Sequence, residues 1–353
     1  MQTRLASCSR VLALVVMLAL ALVGCGSQSS SSSSNGPITV NLGYFPNLTH
    51  AAAIVGVERG TFQNALGSNV KLETKNFNAG PALIEALFAG SIDIGYVGPN
   101  PAINGYVKSH GTALRIIAGA SSGGALFVVQ SNEHIQTPKD LANKTFATPQ
   151  LGGTQDVALR YYLQQNNLAP VDKGGNVKIE PTDNATILSL FKQGKIDGAW
   201  VPEPWATRMV VEGKGKIFVD ERTLWPNGQF VTTDIVVRKA FLDQHSDLVN
   251  KFLQAHVDTA QWILSNPDSA KSIINSEIKR ITGKGMPTNE LDTAFNNLTI
   301  TYDPLTTTLT QSADRAYSLG FLGTSKPDLS GIYNLGLLNQ VLASKGLATV
   351  QGP

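Results

Sequence analysis

Leu-Phe-Ala-Gly-Ser-Ile-Asp-Ile-Gly-Tyr-Val-Gly-Pro-Asn-Pro-Ala, residues 87–102, returns in altered form at residues 190–206 as Leu-Phe-Lys-Gln-Gly-Lys-Ile-Asp-Gly-Ala-Trp-Val-Pro-Glu-Pro-Trp-Ala. Each copy continues an apolar stripe at helical spacing: Leu83, Ile84, Leu87 and Phe88 in the first, Ile187, Leu188, Leu190 and Phe191 in the second. Each then runs through glycine, one variable residue, Ile-Asp, a short apolar strand and a Pro-X-Pro corner. The repeated aspartates, Asp93 and Asp197, lie about 104 positions apart, too far for a short-period solenoid. Two related helix-strand-loop units predict two similar α/β lobes facing one another across a cleft, the kind of place where small ligands bind. The aspartates recur in both lobes, so they are read as structural and left out of the site.

The full chain of 353 residues suits two domains behind a processed leader. Arg4 and Arg10 precede an apolar run from Val11 to Val23, too short for a membrane span and suited to a signal peptide over residues 1–24. The run ends in Leu22-Val23-Gly24-Cys25, which resembles a bacterial lipobox. That resemblance implies that Cys25 is lipidated, becomes the mature N-terminus and anchors the protein to a membrane. The serine-rich stretch behind it, within residues 25–37, cannot bury apolar area and reads as a tether. The leader's two arginines account for the whole +2 of the chain, so the mature protein carries no net charge. That balance argues against a nucleic-acid partner. Of the two cysteines, Cys8 leaves with the leader. Cys25 alone remains, so disulfides, thiol catalysis and cysteine-zinc sites are excluded from the body.

Strands alternate with helices along the body: strands near 38–43, 70–77, 114–120, 144–148, 177–180, 217–219 and 234–237, with helices between them. This predicts a mainly parallel sheet in each lobe. The division expected is residues 38–130 for the first part of lobe 1, 131–231 for lobe 2 and 232–353 for the return strand and C-terminal helices of lobe 1. In one of those helices Val249, Phe252, Leu253, His256, Val257 and Ala260 form one apolar face. His256 there reads as a satisfied core histidine.

Ligands of open α/β sheets sit beyond the carboxyl ends of the strands, where helix N-termini offer unpaired N–H groups and about half a positive charge. The loops that qualify bring forward Asn47 and His50; Gly98, Pro99 and Asn100; Ser121, Ser122 and Gly123; Gly153, Thr154 and Gln155; and Glu203 with Trp205. Asp234, beside two threonines at the return crossing, is either a ligand contact or a strand-start cap. Glu203, between two prolines, could meet a cationic group, anchor the hinge or simply face solvent. The Gly152-Gly153-Thr154-Gln155 run lacks the lysine and third glycine of nucleotide-binding loops. The five histidines show no metal-ligand spacing, so neither a metal nor a cofactor is expected.

The chain resembles the solute-binding proteins of bacterial ABC importers in the aliphatic sulfonate, nitrate and taurine group. The resemblance rests on Gly43-Tyr44-Phe45-Pro46-Asn47-Leu48-Thr49-His50-Ala51, on Gly90-Ser91-Ile92-Asp93-Ile94-Gly95 with Gly98-Pro99, and on Gly194-Lys195-Ile196-Asp197-Gly198-Ala199. It also rests on Thr137-Pro138-Lys139-Asp140-Leu141 with Lys144-Thr145, and on Val236-Val237-Arg238-Lys239. It implies a two-lobed, type II periplasmic-binding-protein-like fold that closes on a small organic anion. It further implies a lipid-anchored, extracytoplasmic monomer that hands an aliphatic sulfonate to an ABC permease. The carboxylate of Glu203 departs from the pattern expected for a simple anion and makes a taurine-like ligand plausible. The alternatives are nitrate, bicarbonate or a thiamine-pyrimidine precursor, or an enzyme on the same fold. Relatives in fold that make the pyrimidine need a cysteine cluster, which this body lacks.

Overall fold

A computed structural model of the protein describes residues 37–352. The signal peptide, Cys25 and nearly all of the tether lie outside the described residues. Eleven strands form two sheets among the described residues. The first holds β1 (Ile38–Tyr44), β2 (Val70–Asn76), β3 (Ile94–Val97), β4 (Leu114–Gly123), β10 (Val231–Arg238) and β11 (Leu298–Ile300), in the order β11-β4-β10-β3-β1-β2. The second holds β5 (Ala125–Gln130), β6 (Thr145–Thr148), β7 (Lys178–Pro181), β8 (Gly198–Pro202) and β9 (Gly215–Asp220), in the order β7-β6-β8-β5-β9.

Both sheets are mixed, not mainly parallel. β1, β2 and β3 pair in parallel, as do β6, β7 and β8, because crossover helices return the chain to the same end of the sheet each time. β10 and β11 in the first sheet, and β5 and β9 in the second, add antiparallel pairs. β5 enters the second sheet straight from the first, with no crossover helix to turn it round. The first crossing therefore falls at Gly123–Gly124, earlier than the boundary at 130 expected from sequence, and β5 belongs wholly to the second sheet. Both glycines there have φ of +74°. A side chain at Gly124 would also meet Leu298 at 2.9 Å, so the sharp passage between sheets favours glycine twice over.

The repeat is built into the backbone. Asp93 donates its N–H to Asn41 O, and its carboxylate accepts the N–H of Asn41. Asp197 stands in the same relation to Thr145, each pair separated by 52 residues. Each aspartate thus locks the third parallel strand of its unit, β3 or β8, to the first, β1 or β6, and Arg238 closes the Asp93 lock with an ion pair of 2.6 Å. Both side chains hold the sheets together, as their symmetric recurrence suggested.

Helices cover both faces of each sheet, so β3 is buried along its whole length and reads as a continuous apolar run. The helix Ser246–Ser265 turns Val249, Phe252, Leu253, Val257 and Ala260 onto one face of the first sheet. His256 on that face is held between the Tyr96 hydroxyl and Gly119 O, at 2.9 Å each, and burial lowers its pKa to about 4. The helix Thr306–Ser318 lies against the first sheet and also reaches the second unit. Its Arg315 guanidinium stacks 3.5 Å from the centre of the Trp225 ring and donates to Leu224 O.

Candidate functional site

Four helices begin at the cleft between the sheets, two from each side. Gly80–Phe88 follows β2 and Pro99–Lys108 follows β3, while Thr154–Gln165 follows β6 and Asn184–Lys192 follows β7. Each unit's parallel strands point their carboxyl ends at the other, which is why the N-termini converge. Residues at or beside all four starts line the cleft: Gly80, Gly98, Gly153 with Thr154, and Asn184. The space of the cleft, open solvent at its mouth included, is about 420 Å³.

No lining residue among those described carries a formal charge. Phe45, Asn47, Thr49 and His50 come from the loop after β1, Thr232 and Thr233 from β10, and Pro149, Gln155 and Pro202 from the second unit. His50 is buried, which pushes its pKa down to about 3 and keeps the ring neutral. Its Nδ1 accepts the Phe45 N–H at 3.3 Å, so the ring hydrogen resides on Nε2 and His50 is a neutral donor. Three buried polar atoms that line the cleft have no partner: Thr154 Oγ1, Thr233 Oγ1 and Asn184 Oδ1. Buried polar atoms are ordinarily paired, so these three point to a polar guest.

The loop that presents Gly153 and Thr154 is pinned from below. Asp156 accepts from Gly152 N–H, the Thr148 hydroxyl and Arg160 Nε, and Arg160 also pairs with Asp172. Across from it Gly98 has an ordinary φ of −69° and needs no glycine for its backbone. Space is the constraint, since a Cβ there would stand 2.2 Å from Thr154 Oγ1. The two units therefore touch at the centre of the cleft.

Of the residues singled out from sequence, the structure brings Asn47, His50, Gly98, Gly153, Thr154 and Gln155 to the cleft. Pro99 and Asn100 sit one step inside their helix, and Asn100 Nδ2 donates to Ser312 O at 3.3 Å. Ser121, Ser122 and Gly123 do not form a loop. They belong to β4, where the Ser121 hydroxyl donates to Thr49 O, the Ser122 hydroxyl accepts Phe230 N–H and Gly123 O accepts the Thr232 hydroxyl.

Glu203 does not face the cleft either. Its carboxylate accepts from Thr207 N–H, the Thr207 hydroxyl and Asn297 Nδ2, and its backbone bonds Gly124 O and Leu48 N–H. The ligand contact expected for it is not made, and these bonds tie it instead to Gly124, at the passage between the sheets, and to Asn297. Burial is the main cause that lifts its pKa to about 7, against those hydrogen bonds. Trp205 donates its indole N–H to Asn47 Oδ1 at 2.9 Å and otherwise packs in the core. Asp234 is an interior residue of β10, wholly buried with both oxygens unpartnered. Burial, then Asp303, raises its pKa well above the usual carboxylate range. It is neither a strand-start cap nor part of the lining.

The sequence reading missed Asn78, Ala79 and Gly80, Asn184, and Thr232 with Thr233. The rule about carboxyl ends of strands covers the first two groups, since they follow β2 and β7; both loops were simply left out of the set. Thr232 and Thr233 carry no such signal, because they lie inside a strand.

The curated taurine-binding periplasmic protein of Escherichia coli is 28% identical over 209 residues, 59% of this chain and 62% of that protein, so less than two thirds of its length is matched. Two solved structures share the fold. The alkanesulfonate-binding protein of Xanthomonas axonopodis has a TM-score of 0.68 at 16% identity, covering 82% of this chain and 96% of that one. The nitrate-binding protein of Synechocystis has a TM-score of 0.70 at 18% identity, covering 88% and 90%. One architecture thus serves different anions, and the fold alone does not choose between them. The two-lobed periplasmic-binding-protein fold expected from sequence is the fold found. The NMT1-like family model matches residues 34–276, most of the chain, and the protein belongs to that family.

Proposed function

We propose that this protein is the extracytoplasmic substrate-binding component of an ABC importer and captures an aliphatic sulfonate between its lobes. The observation that carries the reading is the convergence of four helix N-termini on a cleft without formal charge, with the Thr154 and Thr233 hydroxyls unpartnered. Helix N-termini and free hydroxyls satisfy a sulfonate's three oxygens, and no lysine or arginine is needed. The kinship with a taurine-binding protein supports an organosulfonate over nitrate. In this reading the protein is not an enzyme. It acts as a monomer held on the extracytoplasmic side of the bacterial cell membrane by a lipid on Cys25, and its ABC permease receives the ligand.

The lobes meet at Gly98 and Thr154, so loading a sulfonate requires them to part and close again. The test is a thermal-shift and calorimetric comparison of ethanesulfonate, 2-aminoethanesulfonate, nitrate and bicarbonate. A cognate ligand at 100 times its Kd stabilises the protein by about 2.7 kcal/mol. Binding of nitrate or bicarbonate with no response to any sulfonate overturns the reading.

A further inference from the structure

We infer that Asn184 selects sulfonates that carry a second, neutral hydrogen-bond donor, such as a 2-hydroxyalkanesulfonate. The inference rests on the sulfonate reading above. Asn184 opens the helix after β7, the edge strand of the second sheet, and β2 is the edge strand of the first. The loops after these two edges meet at the mouth of the cleft, where Asn78, Ala79, Pro149, Pro181 and Asp183 face one another. The unpaired Thr154 and Thr233 hydroxyls belong instead to inner strands or the helix that follows one. A sulfonate held by those hydroxyls leaves its other end toward Asn184.

Asn184 is 5% exposed, and its Oδ1 is a buried acceptor with no donor. An alkyl chain alone would leave it unpaired, which is costly for a buried polar atom. A hydroxyl satisfies it. An ammonium would satisfy it too, but would enter a space already faced by four positive helix ends with no carboxylate in the lining. The carboxylates next in sequence to the lining residues Asn184, Pro202 and Thr233 are committed or turned away. Asp183 caps its own helix through Thr186, Glu203 is bound to Thr207 and Asn297, and Asp234 is buried in β10.

The experiment measures ethanesulfonate, 2-hydroxyethanesulfonate and 2-aminoethanesulfonate by calorimetry on wild type, Asn184→Ala and Asn184→Asp, with melting curves to establish folding. Wild type should prefer the hydroxy ligand over ethanesulfonate by about tenfold. Asn184→Ala should bring the hydroxy and plain ligands to equal affinity, while Asn184→Asp should move the preference to the amino ligand. Equal binding of hydroxy and plain ligands by wild type overturns the inference and leaves the sulfonate reading intact. So does a tightest fit to the amino ligand, or a uniform loss for all three in Asn184→Ala. Failure of every sulfonate to bind wild type overturns both.

Discussion

The two Pro-X-Pro corners come from one repeat and do different work. At the first, Gly98 and Pro101 face the cleft, and the absence of a side chain at Gly98 lets Thr154 of the other lobe come close. At the second only Pro202 lines the cleft; Glu203 and Trp205 bind Gly124, Asn297 and Asn47 and tie the crossings together. The duplicated Ile-Asp locks kept their role in both copies because each strand pair needs the same bond. The corners diverged because one unit supplies the meeting point and the other the hinge. A sequence repeat therefore certifies shared architecture and leaves the assignment of function to the contacts each copy makes.

That contrast breaks most directly at Gly98. Gly98→Val places carbon where Thr154 Oγ1 lies while leaving backbone geometry allowed, so it should hold the lobes apart. Overpacking of this kind corresponds to roughly 1–3 kcal/mol, or about 5- to 150-fold weaker ligand binding. Calorimetry reads the affinity, and small-angle scattering should show no contraction on adding ligand. Unchanged affinity would mean that closure does not pass through this contact.

At the second corner the expected effect falls on stability. The folded pKa of Glu203 is raised to about 7 from an ordinary 4.5, chiefly by burial, and Glu221 is raised to about 7 in the same way. A raised carboxyl favours folding while protonated, so this contribution is whole below pH 4.5 and is lost as pH rises through 7. Wild type should therefore lose melting temperature relative to Glu203→Gln between pH 5 and pH 8, by at most a few kcal/mol in free energy. Parallel pH profiles for the two proteins would show that Glu203 does not titrate in this window.

The smallest effect concerns His50. With its pKa near 3 it stays neutral throughout the useful range, so ligand affinity should be flat from pH 5 to 8. A drop of tenfold or more on raising the pH that persists in Glu203→Gln and vanishes in His50→Gln would identify His50 as a cation in the bound state.

How far the sequence could be read follows from the same physics. Local signals located Gly153, Thr154 and Gln155, because a glycine turn before an amphipathic run marks a helix start wherever it lies. Periodicity located the buried face of Ser246–Ser265 and foretold that His256 would be a satisfied core residue. Strand direction escaped, since β5 and β10 look like any apolar strand and only pairing reveals that they run antiparallel. Ser121 and Ser122 were misjudged because two serines and two glycines resemble a loop, whereas β10 and β11 flank that segment and absorb it into a strand. Glu203 was open in sequence among three roles. Its partner Asn297 lies 94 residues away, beyond the reach of any local pattern.

Arg315 gives the closed arrangement a component independent of cargo. Its stacking on Trp225, together with the Lys284–Glu212 ion pair of 2.6 Å, joins segments outside the cleft lining. Where parting the lobes breaks them, such contacts lower the free energy of the shut form with or without a guest, and so raise the fraction of empty molecules already shut. The guest then needs to contribute less to closure, but its departure must wait for the same contacts to break. Residence time becomes a property of the clasp as much as of the ligand.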